Sequence, residues 1–217
     1  MSIRSKIVWS SAGVAVAACA AVYAQAGRPM SPQGSAAAHV QGKWIDPGKQ
    51  TYALGGGTYE GGKWIEITYG RPLMRGRNVF GSGADYGTAT LIGAPIWRAG
   101  ANVTTQLTTE VPLKIGAVTV KPGTYTLFVD LKENSWTFVV STLVAQAKYD
   151  PNEKVAVFGA YNYVPDKDVL RVKMTLETLP HAHEELSWEF VDMTPAGGTI
   201  ALTWDKTQAL VPFTFGS

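Results

Sequence analysis

The stretch "DVLRVKMTLETL", residues 168–179, alternates apolar and polar side chains with a period of two residues. Its apolar positions include Leu170, Val172, Met174 and Leu176, and a polar or charged residue separates each from the next. Successive side chains of a β-strand point to opposite faces, so this alternation is typical of a half-buried antiparallel strand. The stretch therefore predicts a strand with one face in a core and the other in solvent.

Similar runs continue through most of the chain, and turn signals such as Pro122-Gly123 and Gly197-Gly198 separate them. The other strand candidates are residues 64–69, 103–111, 118–120, 125–131, 136–140, 186–193, 199–204 and 209–215. Residues 141–149 favour one short helix, and no alternation of strands with helices indicates a parallel nucleotide-binding sheet. We therefore predict an all-β fold. It is an antiparallel β-sandwich or a related barrel, with about nine strands and at most one or two short helices.

The first 26 residues indicate export. Arg4 and Lys6 precede an apolar run over residues 13–23, and Ala24-Gln25-Ala26 is the small-x-small pattern of a signal cleavage site. The apolar run is too short to span a bilayer. We expect residues 1–26 to be a signal peptide and the mature, periplasmic or secreted chain to begin at Gly27. In the alternative, Cys19 ends a lipoprotein motif and carries the acyl anchor.

The remaining chain divides into a leader and one domain. Residues 27–42 mix Pro, Gly, Ser and Ala without apolar periodicity, which predicts a flexible leader. Residues 43–217 suit a single β-sandwich domain. The motif "GKWI" occurs twice, at 42–45 and 62–65, and we interpret it as two strands that open similarly.

The charge balance excludes a general electrostatic affinity for nucleic acid. The chain has 19 Lys and Arg against 17 Asp and Glu, and Arg4 and Lys6 are the only charged residues of the predicted signal peptide. The mature chain therefore has no net charge, whereas binding to nucleic acid or anionic lipid needs a basic excess on one face. A local cluster of arginines remains compatible with this balance.

Several motifs follow one another along the chain. They are "ITYGRP" at 67–72, "RGRNVFG" at 75–81, "PIWRAGAN" at 95–102, "PGTYTLF" at 122–128, "WTFVV" at 136–140, "YNY" at 161–163 and "DVLRV" at 168–172. In this order and at these spacings they resemble an exported bacterial family catalogued as domain of unknown function 2911, over about residues 50–215. Phe128 stands where many members of that family carry His, and the glycine-rich loop before Trp97 is longer than expected. The resemblance implies an exported, β-rich domain and no assigned activity.

The strand ends carry the candidate binding residues. Arginines are concentrated there, and a guanidinium suits bidentate binding of carboxylate or phosphate. Aromatic faces and the Asn102 turn complete a pocket for a small anionic or sugar-like ligand. The candidate ligand-binding residues are Arg71, Arg98, Trp97, Asn102, Tyr161 and Tyr163. In a purely structural alternative, Arg98 and Trp97 close one end of the core and the tyrosines cover it.

The two arginine motifs are expected to meet. Gly70-Arg71-Pro72 and Gly100-Ala101-Asn102 each break a strand at a loop, so we expect Arg71 and Arg98 to reach the same corner. Two guanidinium groups repel each other unless a carboxylate or an anionic ligand lies between them. This corner is therefore the predicted site.

Metal and enzyme motifs are weak by comparison. His181 and His183 lie two residues apart, but no third His is near, so we predict no metal and no cofactor, and a solvated loop at "PHAHEEL". Serine-nucleophile, zinc-protease and phosphate-loop motifs do not occur.

Two functions stay open, and enzyme activity is undecided between them. The first is an exported binding module for a small anionic or glycan-like ligand. The second is an envelope hydrolase that uses an Asp together with an Arg or Tyr in the same corner.

Overall fold

A computed structural model of the protein describes residues 29–45 and 58–216. The predicted signal peptide, with Cys19 and the cleavage site, lies outside the described residues. Within them the chain forms twelve strands, one short α-helix and two single-turn 3-10 helices. The strands are β1 (Gln33–Val40), β2 (Lys43–Ile45), β3 (Thr58–Glu60), β4 (Lys63–Gly70), β5 (Gln106–Thr109), β6 (Leu113–Ile115), β7 (Val118–Val120), β8 (Gly123–Asp130), β9 (Thr137–Ser141), β10 (Asp168–Lys173), β11 (Thr175–Thr194) and β12 (Gly197–Phe215). The helix α1 is Thr88–Leu91, and the 3-10 turns are Gly83–Asp85 and Pro165–Lys167.

Two antiparallel sheets form the body of the protein. The first has six strands in the order β1-β4-β5-β8-β9-β10, and the second has four in the order β11-β12-β6-β7. Strands β2 and β3 form a separate two-stranded hairpin. The sheets do not close into a barrel. The predicted all-β antiparallel fold is therefore confirmed, as a sandwich.

The alternating stretch 168–179 serves both sheets. Residues up to Lys173 pair with β9 in the first sheet, and residues from Thr175 pair with β12 in the second. Between them lies Met174, which is buried, and its amide donates to the Trp136 carbonyl oxygen at 3.0 Å. The predicted single strand is thus two strands joined by one residue. The period-two pattern survives because both strands bury one face.

Two predictions about local structure are wrong. Residues 33–40, expected in a flexible leader, form β1 and pair in regular antiparallel register with β4. Ala36, Ala38 and Val40 turn toward the core, and their small side chains weaken the hydrophobic alternation. The helix expected over residues 141–149 does not form, because Leu143 packs against the first sheet and Ala145 bridges Val157.

The core has two parts. The main cluster fills the space between the sheets and contains the fully buried Trp97, Trp136 and Trp188. A smaller cluster lies on the outer face of the first sheet and consists of Ile96, Phe128, Val139, Leu143, Val157 and Ala160. The chain between β9 and β10 therefore covers part of that outer face. Burying each large apolar side chain there stabilises the fold by about 1.5–3 kcal/mol.

Candidate functional site

The Gly-Arg-Pro corner and the Gly-Ala-Asn turn meet in space. The Ala101 amide donates to the Gly70 carbonyl oxygen at 3.1 Å, and the Asn102 side-chain amide donates to the Ser31 carbonyl oxygen at 2.9 Å. A Cβ on Gly70 would overlap the Ala101 carbonyl, and Asn102 has a φ of 61°. The overlap requires glycine at position 70, and the left-handed φ favours asparagine at position 102. The backbones of the two predicted motifs therefore share one corner.

Trp97 points into the sandwich and is only 1% exposed. Its ring stacks on Trp204 at a centroid distance of 6.1 Å and meets the edges of Phe80 and Trp136. The bridge between Trp97 and Val129 places it beside β8, where alternate residues face the core. The prediction that Trp97 offers a flat face to a ligand is therefore wrong, because the core covers that face.

Arg71 has a carboxylate partner on the other sheet. Its Nη2 lies 2.6 Å from Glu185 Oε1, and its aliphatic stem packs on Gly34. It lines a cavity of about 410 Å³ between the edge strands β1 and β11. Arg71 Nε is buried and has no acceptor among the described residues. The ion pair neutralises this guanidinium at the junction of the sheets.

Arg98 points to the outer face of the first sheet, opposite to Trp97. Its Nη1 donates to the Asn102 carbonyl oxygen at 3.1 Å and packs so closely on Gly159 that a Cβ there would overlap it. Gly159 has a φ of 63°. Within residues 29–45 and 58–216, no carboxylate lies within 4.0 Å of Arg98. Burial lowers the pKa of Arg98, and the neighbouring Tyr161 phenol partly opposes this shift.

Tyr161 completes the surroundings of Arg98. Its side chain is 43% exposed, and its hydroxyl donates to the Ile92 carbonyl oxygen over a long 3.4 Å. We call the group of Arg98, Asn102, Gly159 and Tyr161 the Arg98 corner. It offers a half-buried guanidinium and an accessible phenol, both hydrogen-bond donors. Of the six predicted ligand-binding residues, the structure brings three into this corner.

Tyr163 belongs to a different polar network. Its hydroxyl donates to Asp168 Oδ2 at 2.6 Å, and Arg171 Nη1 donates to the same oxygen at 2.9 Å. Arg171 Nη2 reaches Asp130 Oδ2 at 2.7 Å. Burial raises the pKa of Tyr163, and Asp168 raises it further, so the phenol keeps the proton that it donates. Through these bonds β8, β10 and the chain before β10 are clamped together.

This network contains an Asp, an Arg and a Tyr, the residue types of the hydrolase alternative, but neither Arg71 nor Arg98 of the predicted corner belongs to it. Asp168 is 5% exposed, and its Oδ1 has no partner among the described residues. The Tyr163 and Phe128 rings meet edge to face with their centroids 5.0 Å apart, and Tyr163 packs against the smaller cluster on the outer face of the first sheet. Arg171 binds both Asp168 Oδ2 and Asp130 Oδ2, so the contacts of this network hold β10 to β8.

The two histidines lie in a strand and not in a loop. His181 and His183 are exposed in β11, at a place where its register with β12 is irregular. The described residues contain no group of three or more His, Cys, Asp or Glu that is arranged to hold a metal. The structure thus corrects the predicted loop, because the β11–β12 hairpin extends through "PHAHEEL".

Sequence reasoning missed an exposed row of aromatic rings. Trp44 and Trp64 are 47% and 51% exposed, and His39 and Tyr59 lie between them. Each tryptophan belongs to one copy of the "GKWI" motif, so the recurrence was the available signal. Both copies of the motif lie at the start of a strand, and both present an exposed tryptophan on the surface.

The comparisons with known proteins identify the family. A family model described as a protein of unknown function, DUF2911, matches residues 56–213. The chain belongs to the DUF2911 family. The match runs from β3 to near the end of β12, so β1 and β2 precede it. Neither the curated proteins nor the solved structures give a match. Among the helices of the described residues, none has the length and apolar character needed to cross a bilayer.

Proposed function

We propose that this DUF2911 protein is exported and binds a small anionic ligand at the Arg98 corner. The supporting observation is the contrast among three arginines. Arg71 and Arg171 each contact carboxylates at 2.6–2.9 Å, whereas Arg98 has none among the described residues. A half-buried guanidinium without a counter-ion favours an anion from solution, because burial strengthens its electrostatic interaction.

The geometry fits a carboxylate or a phosphate group. A guanidinium binds either group through two parallel N–H bonds, and among the described residues Arg98 makes one side-chain hydrogen bond, to the Asn102 carbonyl oxygen. The Tyr161 hydroxyl holds its present acceptor at 3.4 Å, so a ligand oxygen offers it a better bond. The glycan-like alternative at this corner loses support, because it relied on the face of Trp97.

The hydrolase alternative has less support from the contacts. As general acid or base, the Asp of this alternative must have a carboxyl group that reaches the substrate. Arg171 holds both Asp168 and Asp130, and Tyr163 also bonds to Asp168. Binding is therefore the function that we propose.

The binding experiment uses thermal unfolding with inorganic phosphate or citrate, at an ionic strength held constant with sodium chloride. Bound ligand should raise the Tm of the wild-type protein. By mass action, a ligand concentration of one hundred times Kd adds about 2.7 kcal/mol to the free energy of unfolding. Arg98→Met should abolish this rise. The matched control Arg77→Met should keep it, because Arg77 is exposed and bonds to the Met74 and Leu73 carbonyl oxygens.

Equal rises for the wild type and Arg98→Met would contradict the binding proposal, and so would no rise with either anion. The export proposal is tested separately by mass spectrometry of the protein from its native host. An N-terminus at Gly27 supports a signal peptide, and an acylated Cys19 supports the lipoprotein alternative.

A further inference from the structure

Four aromatic rings form a continuous row that spans four strands. Trp64 of β4 stacks on His39 of β1 at 4.6 Å with an angle of 14° between the rings. His39 meets the edge of Tyr59 of β3 at 4.8 Å, and Tyr59 meets Trp44 of β2 at 5.4 Å. We call these residues the aromatic row. It joins the small β2–β3 hairpin to the edge of the first sheet.

The backbone fixes the rings in place. Cross-strand pairing sets Trp44 opposite Tyr59 and His39 opposite Trp64. The glycines of the two "GKWI" motifs also contact the row: a Cβ on Gly42 would overlap the Tyr59 ring, and one on Gly62 would overlap the His39 ring. The Gly42 amide donates to the Tyr59 hydroxyl at 2.9 Å. Rings held this way lose little further freedom when a ligand binds.

Most of the row is exposed: His39, Trp44 and Trp64 are exposed, and Tyr59 is half-buried. Trp44 and Trp64 each leave about half of their surface in solvent, whereas Trp97, Trp136 and Trp188 are buried. Solvent exposure of large aromatic side chains is costly, and a contiguous exposed patch is typical of a binding surface. The exposed rings therefore favour binding of a ligand that has an apolar face.

A carboxylate lies beside one end of the row. The Trp64 amide donates to Glu110 Oε2 at 2.8 Å. Lys43, Glu60 and Lys63 directly neighbour ring residues in their strands, so their side chains face the opposite side. The carboxylate accepts hydrogen bonds from hydroxyl groups, and it favours a neutral hydroxylated ligand over an anionic membrane surface.

A cavity adjoins the middle of the row. It has a volume of about 270 Å³, and its lining includes His39, Tyr59 and Gly42 on one side and Met193 and Pro195 of the β11–β12 turn on the other. Ligand sites combine concave apolar surface with a few polar groups that fix orientation. The row and this cavity together have that combination.

We infer that the aromatic row is a binding site for a neutral glycan chain. Pyranose rings have a C–H face that stacks on aromatic side chains and hydroxyl groups that bond to planar carboxylates and amines. Trp44 and Trp64 offer exposed rings, and Glu110 beside Trp64 together with Gln41 and Thr194 of the adjoining cavity offers hydrogen-bonding groups. Both kinds of partner are thus available to consecutive sugar units. This site is distinct from the Arg98 corner, and its occupant differs in charge from the anion proposed there.

The test is titration of the full mature chain with cellohexaose and with chitohexaose. Tryptophan fluorescence and isothermal titration calorimetry should show saturable binding of at least one oligosaccharide. Trp44→Ala and Trp64→Ala should each weaken binding about tenfold, the usual effect of losing one aromatic stacking partner. Tyr149→Ala is the matched control, since Tyr149 is an exposed aromatic residue outside the row and should leave affinity unchanged.

Each other outcome overturns the inference. Absence of binding by both oligosaccharides at millimolar concentration does so, and so does an affinity that neither tryptophan variant changes. Sedimentation with phosphatidylcholine vesicles that depends on Trp44 and Trp64, without oligosaccharide binding, would instead assign the row to a lipid surface. Arg98→Met should leave oligosaccharide binding intact, so failure of one proposal is distinguishable from failure of the other.

Discussion

Replacing Arg98 and Arg171 in turn by methionine separates an unpaired charge from a paired one. Methionine keeps much of the apolar stem of arginine and removes the guanidinium. At position 171 the change removes the partner of two carboxylates, Asp130 and Asp168. At position 98 it removes a group that bonds only to the Asn102 carbonyl oxygen among the described residues. The two variants should therefore differ in the free energy of unfolding.

The expected difference follows from burial. Breaking a buried ion pair costs about 3–5 kcal/mol when a charge is left uncompensated. The Asp168 side chain is only 5% exposed, but Arg171 is 39% exposed and solvent screens part of its interaction. Arg171→Met should thus cost about 2–3 kcal/mol. Arg98→Met should cost at most about 1 kcal/mol, because one hydrogen bond is lost while an unfavourable burial of charge is relieved.

Urea unfolding at pH 7 measures both values, and thermal unfolding provides an independent check. For a chain of this size the Arg171→Met change should lower Tm by about 4–12 °C. If Arg98→Met destabilises the protein as much as Arg171→Met does, Arg98 has a structural partner. The reasoning that leads to an anion site at the Arg98 corner would then be refuted.

Three further predictions concern single positions. Trp97→Ala should lower the free energy of unfolding in urea by about 3–5 kcal/mol, and Trp64→Ala should change it by no more than about 0.5 kcal/mol, because only Trp97 is in the core. Similar losses for the two variants would contradict the burial of Trp97 and the exposure of Trp64. Gly159→Ala should cost about 1–2 kcal/mol through its left-handed backbone and, by displacing the Arg98 guanidinium, weaken phosphate binding in calorimetry. Hydrogen bonds from the Val155 amide and, to a smaller extent, the Ala156 amide lower the pKa of Glu153. The ionised carboxylate therefore stabilises the fold, and this contribution is complete above the ordinary glutamate pKa. It is lost as the pH falls through the lowered value, and the Val155 amide proton in NMR spectra should titrate with a midpoint below that of glutamate in an unstructured peptide.

The period-two pattern predicted the β-sheet fold well where the side chains are large. In β8 and β9 branched and aromatic residues alternate or fill both faces, and these strands lie close to their predicted positions. The pattern failed for β1, because alanine, glycine and serine contribute too little hydrophobic contrast to reveal a buried face. Its strand character depends on pairing with β4, which is a long-range contact.

The candidate site was predictable only in part. Adjacent residues in an extended segment face opposite sides, so the sequence itself separates Trp97 from Arg98. The predicted pocket needs both side chains in one place, but the structure keeps Trp97 in the core and Arg98 on the outer face. Tyr163 is a candidate for the same pocket, yet it bonds to Asp168.

The sequence by itself determined the sheet character, the turns and the charge balance, because these depend on local side-chain periodicity, backbone freedom and composition. Tertiary structure alone decided which arginine has a carboxylate partner and which tryptophans reach solvent. Glu185 meets Arg71 from the other sheet, and His39 and Tyr59 join Trp64 and Trp44 across separate strands. Such pairings depend on contacts between residues far apart in the chain, and the register of the strands sets them.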